Sequence, residues 1–161
     1  MLDERLFHTT DISMADIGNV AAVEQCCFKT PWSATACAAE IALAEGGGLA
    51  VTCHNDGMIA GYILYRVMVD EMHIMKIATL PRWRKRQIAS ELMRKTIDLA
   101  REKRLKRICL EVRASNLPAI NLYCKFGFTL SGRRPGYYEN REDAVIMNKN
   151  ITEEPLTWLQ Q

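Results

Sequence analysis

The sequence predicts one α+β domain built on a mixed, mostly antiparallel sheet, and three features of the chain predict it. Two runs rich in strand formers, Leu49–His54 and Met58–Asp70, are joined by Asn55-Asp56-Gly57, a strong hairpin signal, and Met72–Leu80 continues them into a meander. Arg107–Arg113 alternates as a strand, with Ile108, Leu110 and Val112 on one face and Cys109, Glu111 and Arg113 on the other. Helical patterns lie on either side of that strand, and strand–helix–strand connections imply a parallel pairing inside the otherwise antiparallel sheet.

The elements follow in order. Asp11–Gln25 reads as a first helix, with Ile17, Val20, Ala21 and Glu24 at helical intervals. Pro31 interrupts it, because a proline disfavours helical geometry at the residue before it. Ser33 is placed to cap an Ala-rich second helix that stops at Gly46-Gly47-Gly48. After the meander, Ser90–Lys103 is amphipathic, with Leu92, Met93, Ile97 and Ala100 on one stripe and Arg94, Lys95, Asp98, Arg101 and Glu102 opposite. Pro118–Phe126 is a short helix, with Pro118 tolerated in its first turn and Gly127 as its stop. Phe128–Leu130 and Ala144–Asn148 supply closing strands. Residues 1–150 form the expected domain and 151–161 a short tail; no internal repeat or long linker divides them.

A chain of 161 residues buries a real core, and 48% hydrophobic with 25% charged residues is ordinary for a soluble globular protein. No segment approaches the ~20 apolar residues that span a bilayer, and the N-terminal residues lack a signal-peptide pattern, so the expected compartment is the cytoplasm. The six cysteines (Cys26, Cys27, Cys37, Cys53, Cys109, Cys124) include no C-x-x-C pair, and the three histidines are scattered. Reduced, mostly buried thiols and no metal site are expected. Net charge is only +2 but uneven. Residues 81–107 carry eleven Lys/Arg against three Asp/Glu, and the remainder ten against sixteen. A local anion site accounts for that split better than a globally basic nucleic-acid binder does.

Chemistry concentrates in Leu110–Phe128, LEVRASNLPAINLYCKFGF, which delivers Glu111, Asn116 and Tyr123 from a strand, a turn and a helix in succession. A carboxylate and a phenol from adjacent elements can serve as general base and general acid around one centre. Upstream, Pro81–Ser90, PRWRKRQIAS, is a basic loop running into a helix, the arrangement of an anion-binding helix start. The pair suggests an enzyme that holds a phosphate-bearing cofactor and moves a group from it onto an amine.

These motifs resemble the GNAT N-acetyltransferases, and within them the bacterial ribosomal-protein-alanine N-acetyltransferases of the RimI type. The resemblance covers roughly Phe7–Asn148. It rests on Pro31-Trp32-Ser33, Asp70-Glu71 through Thr79, the basic loop, Leu110-Glu-Val-Arg-Ala-Ser-Asn116, Leu122-Tyr123, Gly127-Phe128, Arg134 with Tyr137-Tyr138, and Arg141-Glu-Asp-Ala-x-Ile-Met147. It implies a splayed sheet with helices on both faces and acetyl-coenzyme A as acetyl donor. The donor's pantetheine arm would meet the backbone of Ile77, Ala78 and Thr79 as an added strand would. Its diphosphate would be wrapped by Arg84, Lys85, Arg86, Gln87, Ile88, Ala89 and Ser90. Asn116 would contact the donor's arm, Glu111 would act as base and Tyr123 as acid, and Pro31, Trp32, Tyr137 and Tyr138 would frame a peptide N-terminus. The acceptor would be the N-terminal alanine of a small-subunit ribosomal protein; neither membrane nor nucleic acid is an expected partner.

The chief departure is Gln87, which stands where the family's loop, Gln/Arg-x-x-Gly-x-Gly/Ala, has its first glycine. A left-handed conformation there would cost on the order of 1 kcal/mol, whereas a helical one would cost little. Several residues also have structural readings. Glu111 can pair with Arg113 or Lys76, Tyr123 can pack on Phe126, Asn116 can cap the following helix, and Trp32 and the two tyrosines can be a lid and a wedge. Cys124 invites an acetyl-cysteine route, but neighbouring helix positions point about 100° apart and no histidine is placed to activate it, so direct transfer in a ternary complex is expected. Two other functions fit the same residues: acetylation of a small-molecule amine, and a non-catalytic module binding acyl-coenzyme A or nucleic acid.

Overall fold

The computed structural model describes residues 1–151; the expected tail lies outside the described residues apart from Ile151. Seven strands form one sheet in the order β1-β2-β3-β4-β5-β7-β6. They are β1 (Phe7–Asp11), β2 (Gly46–Cys53), β3 (Ile59–Met68), β4 (Glu71–Thr79), β5 (Arg107–Arg113), β6 (Thr129–Arg134) and β7 (Ala144–Asn150). Four α-helices accompany them among the described residues: α1 (Ile17–Cys27), α2 (Ala34–Ala42), α3 (Ile88–Glu102) and α4 (Leu117–Lys125). All pairings are antiparallel except β4 with β5. The α+β reading, the meander, the parallel step and the helices after β4 and β5 therefore hold.

Two expectations need correction. The first helix does not begin at Asp11: residues 7–11 form β1, an edge strand with only Phe7 buried, and α1 starts at Ile17. A strand that buries one side chain gives no alternation to read. The three glycines do not merely stop α2, which ends at Ala42; they open β2. A Cβ at Gly48 would lie 2.7 Å from the Ile63 carbonyl oxygen, so a side chain there would push β2 off β3.

The sheet is packed on both faces. Ile63, Met72, Ile108, Leu110, Val112 and Met147 meet Leu92, Met93 and Ile97 of α3 and Tyr123 of α4 on one side. Tyr62, Leu64 and Ala50 meet Ile17, Val20 and Val23 of α1 and Cys37 of α2 on the other. Burial on both faces explains why β3 reads as a continuous apolar run, buried from Ile59 through Tyr65. Helices α1 and α2 rest chiefly on β2, β3 and β4. The Cys109–Glu111–Arg113 face of β5 thus lies on the side of those two helices but beyond them.

The sheet parts between β4 and β5. Their parallel ladder covers only Glu71–Ile74 against Arg107–Leu110. At that point the β3–β4 register jumps from Leu64↔Lys76 to Tyr65↔Ile74, so Met75 is an extra residue in β4. A bulge bends its strand and raises its twist. Beyond it, residues 76–79 pair with β3 alone and residues 111–113 with β7 alone. Two strand edges carrying unpaired backbone groups face each other across the opening.

Candidate active site

Glu111 is the first residue of β5 beyond the last β4 pairing, so the opening begins at its position. Its carboxylate meets Arg134 Nε of β6 at 2.8 Å, rather than Arg113 or Lys76. A hydrogen bond to Glu111 also holds the Tyr137 hydroxyl above its usual pKa. Arg113 instead bonds Glu139 at 2.6 Å and Glu142 at 3.4 Å, and lies over the Tyr138 ring at 4.0 Å. Tyr137 and Tyr138 pack edge to face with centroids 5.1 Å apart.

Tyr123 reaches the same neighbourhood from the opposite side of the sheet. It is 4% exposed, and its ring packs at 5.9 Å against Phe128, not Phe126. Burial, with Tyr138 nearby, pushes its pKa well above that of a free phenol, so it stays protonated at any working pH. Its hydroxyl has no hydrogen-bond partner among the described residues. The adjacent Cys124 is exposed and turned away, as the helical angle requires. Cys26 is exposed too, so the thiols are less uniformly buried than expected.

Asn116 caps α4, its side chain accepting from Ala119 N–H at 3.3 Å. On β4, Ile77 and Thr79 are partly buried and Ala78 is buried, with their backbone paired on the β3 side. Arg84, Lys85, Arg86 and Gln87 are exposed, whereas Ile88 is buried in the core and offers only its backbone. Gln87 is left-handed, φ 66° and ψ 15°, and Lys85 has φ 60°. The first helical bond of α3 runs from Glu91 N–H to the Gln87 carbonyl, 2.9 Å. The N–H groups of residues 85–90 have no backbone partner among the described residues. Left-handed steps beside a helix start gather free N–H groups into an anion-binding concavity. With three exposed cationic side chains beside it, that donor set fits a diphosphate, and the open β4 edge fits an amide-bearing arm.

Gln87 therefore carries the strain that glycine would avoid. Gln87→Gly is expected to remove about 1–2 kcal/mol of left-handed strain against about 0.5–1 kcal/mol of added chain entropy. The net effect is a rise in Tm of about 1–2 °C, with tighter coenzyme A binding as the side chain leaves the concavity. Thermal denaturation and calorimetry check both; a lower Tm would show that Gln87 makes a compensating contact.

The segment around Pro31 and Trp32 is anchored by a residue whose partners are not readable from its surroundings in the sequence. Glu24 of α1 is fully buried and accepts from Trp32 N–H at 2.8 Å, from Lys76 Nζ at 3.2 Å and from the Tyr62 hydroxyl. Burial and this carboxylate raise the Tyr62 pKa far above normal. Lys76, beside the bulge, lies 3.8 Å from the Phe28 ring centroid and 5.0 Å from that of Trp32. Thr30 Oγ1 donates to Glu139 at 3.2 Å, joining the α1–α2 loop to the β6–β7 loop. The two expected acceptor loops thus touch, although the Trp32 ring faces Lys76.

Comparison with known proteins places this geometry. The acetyltransferase (GNAT) family model matches residues 18–128. The chain belongs to the GNAT family. It is 35% identical over 144 residues to a putative [ribosomal protein bS18]-alanine N-acetyltransferase of Bacillus subtilis, covering 89% of this chain and 95% of the relative. It is 30% identical to the [ribosomal protein bS18]-alanine N-acetyltransferase of Escherichia coli K12, covering 86% and 93%. The crystal structure of the ribosomal-protein-S18-alanine N-acetyltransferase from Escherichia coli superposes with a TM-score of 0.85 at 27% identity, over 94% of this chain and 97% of that one. This GNAT protein is an acetyl-coenzyme A-dependent N-acetyltransferase. No helix among its described residues is long and apolar enough to cross a membrane.

Proposed function

We propose that this protein transfers acetyl to the N-terminal amine of a ribosomal protein, the alanine of bS18 or its counterpart, by direct transfer with both substrates bound. The observation that carries the reading is that Glu111 stands where β5 leaves β4, while Tyr123 packs in the core on the other face of the sheet with Tyr138 near both groups. The relatives' named substrates support the choice of acceptor.

Aminolysis of a thioester needs a neutral amine and a proton for the departing sulfur. An α-amino group with pKa about 7.7–8.0 is mostly protonated at pH 7. Glu111 faces the side on which the α1–α2 and β6–β7 loops meet, so an amine entering between Pro31-Trp32 and Tyr137-Tyr138 can give its proton to that carboxylate, directly or through water. Arg134 and Tyr137 fix the carboxylate's orientation. Tyr123, protonated and without a hydrogen-bond partner among the described residues, delivers its proton to the sulfur from the other side. The backbone of Ile77, Ala78 and Thr79 and the Arg84–Ser90 segment hold the donor, and Asn116 fixes the start of α4, which carries Tyr123.

Incubation with acetyl-coenzyme A and an Ala-initiated peptide of bS18 sequence should release thiol and acetylate the peptide once, on its α-amine. Small amines such as polyamines should compete poorly for turnover. No thiol release with coenzyme A demonstrably bound would overturn the peptide reading, and preferential turnover of a small amine would replace it.

A further inference from the structure

The α1–α2 side of the sheet, beyond those two helices, holds a second cluster, short of the opening, that the transfer reaction does not use. Glu71 and His73 project from β4 and Cys109 from β5, with His73 and Cys109 direct partners in the short parallel ladder. The donor atoms of all three lie within 4.8 Å of one another. One oxygen of Glu71 is 3.4 Å from His73 Nε2 and 3.6 Å from Cys109 Sγ. The other oxygen is held by the Arg107 guanidinium. Asn148 is the β7 partner of Cys109 and so shares its face; its Oδ1 is buried and has no hydrogen-bond partner among the described residues. Arg107 and Asn148 also line a cleft with Thr129 and Ser131 that opens beside the cluster.

We propose that Glu71, His73 and Cys109 form a binding site for a divalent ion of the zinc class. The separations argue for it. Tetrahedral zinc, with bonds of about 2.1 Å to oxygen and nitrogen and about 2.3 Å to sulfur, sets O–N edges near 3.4 Å and O–S edges near 3.6 Å. Both values are already met, and the His73–Cys109 edge, within 4.8 Å, needs at most a small side-chain adjustment to reach about 3.6 Å. A thiolate with an imidazole selects zinc or cobalt over magnesium or calcium. Arg107 plays the outer part that such sites usually need, orienting the carboxylate through the oxygen the ion does not take. Three protein donors leave a fourth position, for the Asn148 amide oxygen or for water from the cleft. On binding, the Cys109 thiol gives its proton to the buffer and a metal–sulfur bond forms; no electrons are exchanged.

The donors come from strands 36 residues apart in the chain, which is why no local spacing marks them and why the sequence argued for no metal. The ion would join β4 to β5 at the last rungs before they part. Glu111 is two residues further along the same face, about 7 Å away. The ion would brace the base of the opening rather than enter the reaction.

The test is a titration of the chelator-treated full chain with Zn²⁺ against a chromophoric competitor, and with Co²⁺ monitored by absorption. One ion per chain should bind with micromolar or tighter affinity, Co²⁺ should show a sulfur-to-metal charge-transfer band, and Zn²⁺ should raise Tm by several degrees. Cys109→Ser and His73→Gln should each weaken binding at least a hundredfold, while Cys26→Ser and Cys124→Ser leave it unchanged. X-ray absorption on the zinc-loaded unmodified chain should find one sulfur among nitrogen and oxygen donors, a readout that requires no variant to fold. Absence of one-to-one binding, binding that survives loss of both His73 and Cys109, or a shell with no sulfur would each overturn the proposal and leave the cluster as a hydrogen-bonded group around Glu71.

Discussion

Glu111→Gln is expected to lower kcat/KM for an Ala-initiated peptide roughly 10²–10⁴-fold at neutral pH, the range that loss of one general base produces. Coenzyme A affinity should not change, because the carboxylate faces the acceptor side and the donor is held by β4 and the α3 start. Folding should change little: the side chain is 28% exposed and its pair with Arg134 is surface-like, worth about 0–1 kcal/mol. The pH dependence separates a base from a merely structural carboxylate. Above about pH 8 the acceptor amine is increasingly neutral in solution and needs no base, so the deficit of the variant should shrink as pH rises. A deficit that stays constant from pH 6.5 to 9.5 would assign Glu111 to holding Arg134 and Tyr137. Tyr123→Phe is the companion measurement. It keeps the ring against Phe128, and because the phenol is protonated throughout this range, its loss should not depend on pH.

The parts of this site that were legible in the sequence are those fixed by local rules. Alternation along Arg107–Arg113 places Glu111 opposite Ile108, Leu110 and Val112, and β5 has the expected bounds. Asn116 followed by Pro118 announces the start of α4, and its capping bond is present. What escaped depends on partners distant in the chain. Met72–Leu80 reads as one uninterrupted strand, and only its register against β3 shows that Met75 is extra and that the strand bends away from β5. The structural alternative for Glu111 pairs it with Arg113 of its own strand or with Lys76 of β4, yet Arg134 reaches it from β6, a strand two positions away in the sheet. The left-handed turn at Gln87 contradicts a residue-type preference, so no propensity reveals it; the motif gap at that position was the available signal.

Glu24 shows how much such distant pairing controls. At helical interval with Ile17 and Val20 it looked like one more position on the α1 stripe, but its partners lie 8, 38 and 52 residues away. Glu24→Ala would leave the Lys76 ammonium, only 15% exposed, without its counter-charge, and the Trp32 N–H without an acceptor. Removing one member of a buried ion pair costs about 3–5 kcal/mol. For a chain of this length that lowers Tm on the order of 10 °C, measurable by calorimetry. Glu24→Gln keeps the shape and can still accept from Trp32 N–H, so it should cost less. At temperatures where both variants remain folded, KM for the acceptor peptide should rise while coenzyme A affinity stays as it is, because Glu24 fixes the Pro31–Trp32 segment and does not touch the α3 start. An unchanged peptide KM in folded Glu24→Ala would remove Trp32 from the acceptor site and leave the buried carboxylate with a purely structural role.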